Sequence, residues 1–331
     1  MRATASAPWS HRVVRHETGA LSGREPGAAA RGPGPDLEGV TAVVFWLADP
    51  LAELYPECFT EALAIAGLAR ERGIRVVNPP AALSNTIKSR QAELWQRAGL
   101  PCAAVASFRT RAELSALLAR ASYPVIVRPD HLHGQQAVHF CATPAAAAAV
   151  PDGLTAGAVI PFVDTRSGYA RTRPGTIWQR LYHKKRAFVF GDDVVPNHVY
   201  FSPHPICGLK HSTFARYRRR WRWSWIAYLR SVERAALVVD NAYWRGPAEH
   251  SALLRRAVQA LGLGFAAIDY SVGADGQPVL WEANPYFDLP DPDRGAMPRE
   301  RHLHARIAGF DRAIGRFLGG LLGDAEPSVP K

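Results

Sequence analysis

The stretch Ile268-Asp269-Tyr270-Ser271-Val272-Gly273-Ala274-Asp275-Gly276-Gln277-Pro278-Val279-Leu280-Trp281-Glu282-Ala283-Asn284-Pro285 decides how this chain is read. Asp275-Gly276 is a strong hairpin signal, and both flanks alternate apolar and polar residues. A two-residue turn there makes 274 face 277, which predicts Asp269 directly opposite Glu282. Asn284 follows two residues on and shares their face, because strand side chains alternate with period two. The other face is expected to carry Ile268, Tyr270, Val272, Val279 and Trp281, a core surface. Two carboxylates opposed across a ladder repel each other unless something positive lies between them. Asp269, Glu282 and Asn284 offer hard oxygen donors of the type magnesium takes, usually as one or two carboxylates plus substrate phosphates. The competing reading is an exposed acidic hairpin with solvated side chains.

The same residues carry a family resemblance. Asp269 followed by Glu282-Ala283-Asn284-Pro285 resembles the carboxy-terminal signature of the ATP-grasp superfamily, and the resemblance covers roughly residues 78 to 322. It implies that Asp269, Glu282 and Asn284 bind the magnesium ions, with manganese as an alternative, that bridge the phosphates of ATP. Asn85-Thr86-Ile87-Lys88-Ser89-Arg90, running to Ala98-Gly99-Leu100-Pro101, resembles the helix that opens the grasp domain, with Lys88 as its phosphate-binding lysine. Tyr123-Pro124-Val125-Ile126-Val127-Arg128-Pro129 resembles the strand that bears the second nucleotide-binding cation. Most relatives have Lys there, and this chain has Arg128. Val159-Ile160-Pro161-Phe162-Val163-Asp164 resembles the hinge whose backbone reads the adenine, which implies nucleotide contacts at Ile160, Phe162, Val163 and Asp164.

The loop 130–136 resembles the one that closes over the phosphates, so His133, and His131 beside it, are expected to meet phosphate or substrate. Two histidines without further nearby ligands are weak evidence for zinc. In related enzymes a basic residue on the strand after Lys184 faces the transferred phosphate. By position that is Arg186, with Lys185 as a further nucleotide contact and Arg128 as its catalytic partner. Lys184, Lys185 and Arg186 can also be read as charges that protect an edge strand from aggregation.

The resemblance implies an α/β chain in which two α+β subdomains grip ATP, preceded by a short, truncated α/β unit. The expected division is a disordered tail at 1–38, the truncated unit at 39–80, a small lid subdomain with its linker helix at 81–163, a large subdomain with the metal site at 164–323, and a tail at 324–331. The implied activity is that of an ADP-forming ligase. A carboxylate attacks the γ-phosphate of ATP, and the acyl phosphate then yields to an amine or other nucleophile. Such chemistry needs positioning and charge neutralisation more than a dedicated nucleophile. The implied substrate is a small-molecule or peptide carboxylate, and homodimers are common in related folds. An ATP-dependent phosphotransferase or a non-catalytic relative is the alternative.

Composition bounds these readings. The apolar fraction of 47% over 331 residues supports a substantial core, and no apolar run approaches the ~20 residues that span a bilayer. Cys58, Cys102, Cys141 and Cys207 show no CxxC spacing, which with the absence of a signal peptide favours a reducing cytoplasm. Residues 166 to 222 hold thirteen Lys and Arg against Asp192 and Asp193, an excess equal to the +11 of the whole chain. That region therefore faces an anionic ligand or substrate. Within it, Arg216-Tyr217-Arg218-Arg219-Arg220-Trp221-Arg222-Trp223-Ser224-Trp225 interleaves basic and aromatic residues, the pattern that suits phosphate neutralisation and base stacking. Without a recognisable nucleic-acid module, nucleic-acid binding stays the lesser reading.

Overall fold

Two four-stranded antiparallel sheets, preceded by a two-stranded parallel one, organise the chain. The computed structural model describes residues 37–130, 137–166, 178–207, 223–273, 275–287 and 307–323. In the first unit, β1 (Ala42–Val44) pairs with β2 (Arg75–Val77) through the helices α1 (Leu51–Leu54) and α2 (Pro56–Glu71). Pro56 opens α2, where its missing N–H has no partner to lose, and Gly73 at φ +69° closes it. Asn78 then ties this unit to the larger sheet. Its side chain donates to Phe265 O at 3.0 Å and accepts from Gly264 N–H at 2.8 Å and Phe265 N–H at 3.2 Å.

The smaller sheet runs β3-β6-β4-β5 and is built from Ala106–Phe108 (β3), Val125–Arg128 (β4), His139–Cys141 (β5) and Gly157–Pro161 (β6). Helices α4 (Arg111–Arg120) and α5 (Pro144–Ala148) are each capped by a threonine, Thr110 and Thr143, whose hydroxyl accepts the N–H three residues on. They cover a core of Phe108, Leu114, Val125, Val127, Ala147 and Val159. Gly157 leaves no room for a side chain: a Cβ there would lie 2.3 Å from Arg128 O and 3.0 Å from the Phe108 ring. Gly157→Ala is therefore expected to lower the stability measured by urea unfolding by about 1–3 kcal/mol, the usual cost of overpacking.

The larger sheet runs β10-β9-β7-β8, with β7 Tyr182–Phe190, β8 Asp193–Ser202, β9 Phe265–Val272 and β10 Pro278–Asn284. One face packs on α3 (Lys88–Arg97), α6 (Trp223–Arg245) and α7 (Ser251–Ala260), around Trp95, Val239, Leu254, Ile268, Tyr270 and Leu280. The other face carries Phe188, Phe190 and Phe265 against Phe287, Phe310 and Ile314, the last two on α8 (Ile307–Gly323). The α+β lobes expected from the sequence are thus present, and the chain passes between them from β6 through residues 162–165.

Several local expectations need correction. The hairpin turn is one residue longer than predicted, since Gly273 N–H donates to Gln277 O and Val272 pairs with Pro278. The longer turn shifts the parity of β10, so Leu280, not Val279 or Trp281, enters the core beside Tyr270. A bulge between Leu280 and Glu282 then restores the predicted pairing of Glu282 with Asp269. Trp281 leans to the opposite side and donates its ring N–H to Ser271 Oγ at 2.7 Å. The helix expected from Asn85 onward begins at Lys88, after a 3-10 turn at Pro80–Thr86. Asn85 is drawn away to Leu261 O, and Ser84 bonds within the turn. Residues 1–36 and 324–331 of the proposed tails, His131, His133 and the basic residues 216–222 lie outside the described residues.

Candidate active site

The register puts Arg186, Asp269 and Glu282 in one row across β7, β9 and β10. Lys184 lies two residues before Arg186 and therefore on the same face, and Asn284 lies two beyond Glu282. Asp269 is 2% exposed and both its oxygens are engaged. Arg186 approaches it through Nε at 2.7 Å and Nη2 at 3.0 Å, and Lys184 Nζ through Oδ2 at 2.6 Å. Burial alone would raise the Asp269 carboxyl, but Arg186 and Lys184 outweigh it and hold the group below its ordinary value. The positive charge that an opposed carboxylate pair requires is thus supplied by the protein itself.

The smaller lobe and its linker helix contribute from the other side. Lys88, at the start of α3, is 4% exposed and meets Glu282 Oε1 at 3.5 Å. Its ammonium also donates to Asp130 O at 3.3 Å. Burial pulls the Lys88 ammonium below its usual value, while Glu282 pulls the other way. Arg128, at the end of β4, is likewise lowered by burial and raised by Glu282, Asp130 and Asp269, which places its guanidinium within the same charge cluster. Asp130 is locked by Ser89, whose N–H and hydroxyl donate to its two oxygens at 3.0 and 2.6 Å. Residues from both lobes therefore converge on one patch of alternating charge.

Gln91 holds the acidic strand in place. β10 is the edge of its sheet, and the Gln91 amide completes that edge by donating to Ala283 O and accepting from Ala283 N–H, both at 2.9 Å. Ala283 lies between Glu282 and Asn284, so the helix that carries Lys88 also fixes the strand that carries the candidate metal ligands. Leu280 N–H is covered in turn by Pro101 O at 2.9 Å.

Some expected site residues take other positions. Lys185 pairs with Tyr270 in the register and so lies on the helix-covered face, opposite to Asp269. Its ammonium is bound to Glu249 and sits 5.3 Å from the Tyr243 ring. The lysine that joins the cluster is Lys184. Alternation from Arg186 was the signal for it. Along the inter-lobe segment, Ile160 pairs with Ile126, and Phe162 N–H donates to Pro124 O at 3.0 Å. The Phe162 ring meets Phe140 and Tyr182 edge-on at 5.0 and 5.8 Å. Val163 is half-buried, whereas Asp164 is exposed and gripped by Arg166, whose side-chain hydrogen bond lowers its carboxyl. Cys207 lies near this face with its thiol pushed up to about 12, chiefly by burial, which suits a packed residue rather than a nucleophile.

Among the described residues no three His, Cys, Asp or Glu side chains form a metal cluster, and no helix is long and apolar enough to cross a membrane. The Glu282 and Asn284 oxygens suit a hard cation such as magnesium. Asp269 has the same donor chemistry, but Lys184 and Arg186 already cover its oxygens.

No family model matches the chain, and no curated protein matches it. Solved structures that it resembles are ATP-grasp ligases. They include the L-amino acid ligase from Bacillus licheniformis, at 16% identity over 67% of this chain and 45% of that one, with a TM-score of 0.38. The chain thus spans less than half the length of that ligase. The ATP-grasp ligase PsnB, in complex with a minimal precursor, is similar at 16% identity over 82% of this chain and 78% of its own, TM-score 0.45. A RimK domain ATP-grasp protein from Sphaerobacter thermophilus is similar at 19% identity over 78% and 76%, TM-score 0.45.

Proposed function

We propose that this protein is an ATP- and magnesium-dependent ligase that activates a substrate carboxylate as an acyl phosphate for attack by an amine or other nucleophile, releasing ADP and phosphate. The observation that carries this reading is the convergence of Lys88 and Arg128 from one side with Lys184, Arg186, Asp269 and Glu282 from the other, at the junction of two sheets. These four cations facing Asp269, Glu282 and the neighbouring Asp130 make a patch that accepts a polyphosphate with its metal. Lys88 and Arg128 would hold phosphate oxygens. Arg186 would face the transferred phosphoryl group. Glu282 and Asn284, beside the cation-paired Asp269, form the edge that would hold magnesium. That ion, when bound, neutralises phosphate charge and orients the leaving group. Residues 160–164 would line the adenine, with 81–163 acting as the lid and 164–323 as the base. The basic segment 166–222 favours an anionic substrate, a small molecule or a peptide bearing the carboxylate.

Magnesium-ATP at about a hundred times its dissociation constant is expected to add about 2.7 kcal/mol to wild-type stability, visible as a rise in melting temperature. Glu282→Gln, which removes a partly exposed carboxylate without touching the Asp269 pairs, is expected to lose most of that shift. A wild-type protein that melts unchanged with and without magnesium-ATP would overturn the reading. Once binding is established, ADP release that requires both a carboxylic acid and a nucleophile marks a ligase, whereas a phosphorylated product without a nucleophile marks a kinase.

A further inference from the structure

The saturation of Asp269 bears on how many metal ions this site takes. Lys184 Nζ sits 2.6 Å from Oδ2, and Arg186 spans both oxygens at 2.7 and 3.0 Å, while the carboxylate is 2% exposed. We propose that Lys184 is a resident cation that stands at Asp269 where a divalent ion would otherwise bind, so that the nucleotide is loaded with a single metal ion held through Glu282 and Asn284. This rests on the nucleotide-binding reading above and departs from the two-ion site that the sequence resemblance implies.

Three features hold Lys184 in that place. Alternation along β7 puts Lys184 and Arg186 on one face, and the register brings Arg186 level with Asp269, so the strands themselves deliver both cations to this carboxylate. The Tyr200 ring then lies 5.5 Å from Lys184 Nζ and 6.0 Å from the Arg186 guanidinium, a cation–π brace on both. Displacing Lys184 by a metal ion would leave a largely enclosed ammonium, 18% exposed, without its counter-charge, and removing one partner of a buried pair is strongly unfavourable. Glu282 differs in its own exposure and in the length of its ion pair. Its contact with Lys88 is looser, at 3.5 Å, and its side chain is 15% exposed. A cation entering at Glu282 thus meets a more open carboxylate and a longer ion pair than it would at Asp269. The charge balance agrees, since Lys184 with Lys88, Arg128 and Arg186 already exceeds Asp130, Asp269 and Glu282 by one positive charge before any metal enters.

The test counts ions, not turnover. The full chain is equilibrated with excess Mn2+ and a non-hydrolysable ATP analogue, and the retained ratio of manganese to nucleotide is measured, with electron paramagnetic resonance reporting spin coupling between neighbouring ions. Wild type is expected to retain one Mn2+ per nucleotide. Lys184→Ala and Lys184→Gln are expected to retain two, with the coupled-ion signal appearing only in the variants. Two ions in wild type would overturn the inference while leaving the ligase reading intact, and so would a ratio of one in a folded variant. Nucleotide that is not retained by wild type would overturn both readings together. The wild-type ratio decides the matter even if a variant fails to fold.

Discussion

Lowering the pH from about 6.5 to about 3 is expected to remove roughly 4–5 kcal/mol of stability through His183 alone. His183 is 1% exposed, and its imidazole is held neutral to about pH 3, first by burial and then by the nearby Lys185 ammonium. The neutral ring is used: Nε2 accepts the Val272 N–H at 3.1 Å, a bond that protonation would convert into two opposed donors. The sign follows from the proton count. Between the two values the unfolded chain binds a proton at this position and the folded chain does not, so stability falls as the pH falls. The depressed Asp269 carboxyl acts in the same direction but in a lower window, because its contribution is complete above the ordinary aspartate value and is lost only as the pH drops through its own lowered one. Urea unfolding at pH 7 and at pH 4.5 separates the two. Wild type is expected to lose about 2–3 kcal/mol more across that interval than His183→Gln, which keeps an acceptor for Val272 but cannot be protonated. Parallel losses in the two proteins would refute the assignment.

The hairpin that decides the reading of this chain was legible because its information is local. Asp275-Gly276 marks the turn, and alternation assigns the faces. The predicted opposition of Asp269 and Glu282 nevertheless rests on two departures that cancel, one extra residue in the turn and one at the bulge before Glu282. Neither has a signature in the residues themselves. The same alternation favours Lys184 over Lys185 as the neighbour of Asp269, once Arg186 is placed, because period two binds 184 to 186. Gln91 was not legible at all. Its partner Ala283 is 192 residues away, and nothing near position 91 says that an exposed sheet edge will arrive there. Asn78, which secures the first unit to β9, was missed for the same reason: a left-handed asparagine before Pro79-Pro80 reads as a turn residue, and its three bonds to Gly264 and Phe265 exist only in the folded chain. Chemistry that depends on spacing within a strand or hairpin could be read from the sequence. Chemistry that depends on which elements meet could not.

Asp269→Ala is expected to cost about 3–5 kcal/mol, because it strands two cations rather than removing one acid. Lys184 and Arg186 both end on this carboxylate, on a face closed by the sheet and by Tyr200. Without it, their charges keep the desolvation penalty and lose the attraction that offset it. The loss is therefore expected to be suppressible from the other side of the pair. A triple variant, Lys184→Met with Arg186→Met and Asp269→Leu, removes all three charges at similar volume and is expected to recover a large part of the stability, since apolar replacements of buried ion clusters are often neutral or better. Urea unfolding of wild type, the single variant and the triple variant decides it. An Asp269→Ala protein within about 0.5 kcal/mol of wild type, the range of an ordinary surface substitution, would mean that Asp269 is not the counter-ion of this pair. Recovery of stability in the triple variant, joined to loss of the magnesium-ATP shift, would separate the two duties of the cluster: the fold tolerates an apolar patch there, and the binding of a charged nucleotide does not.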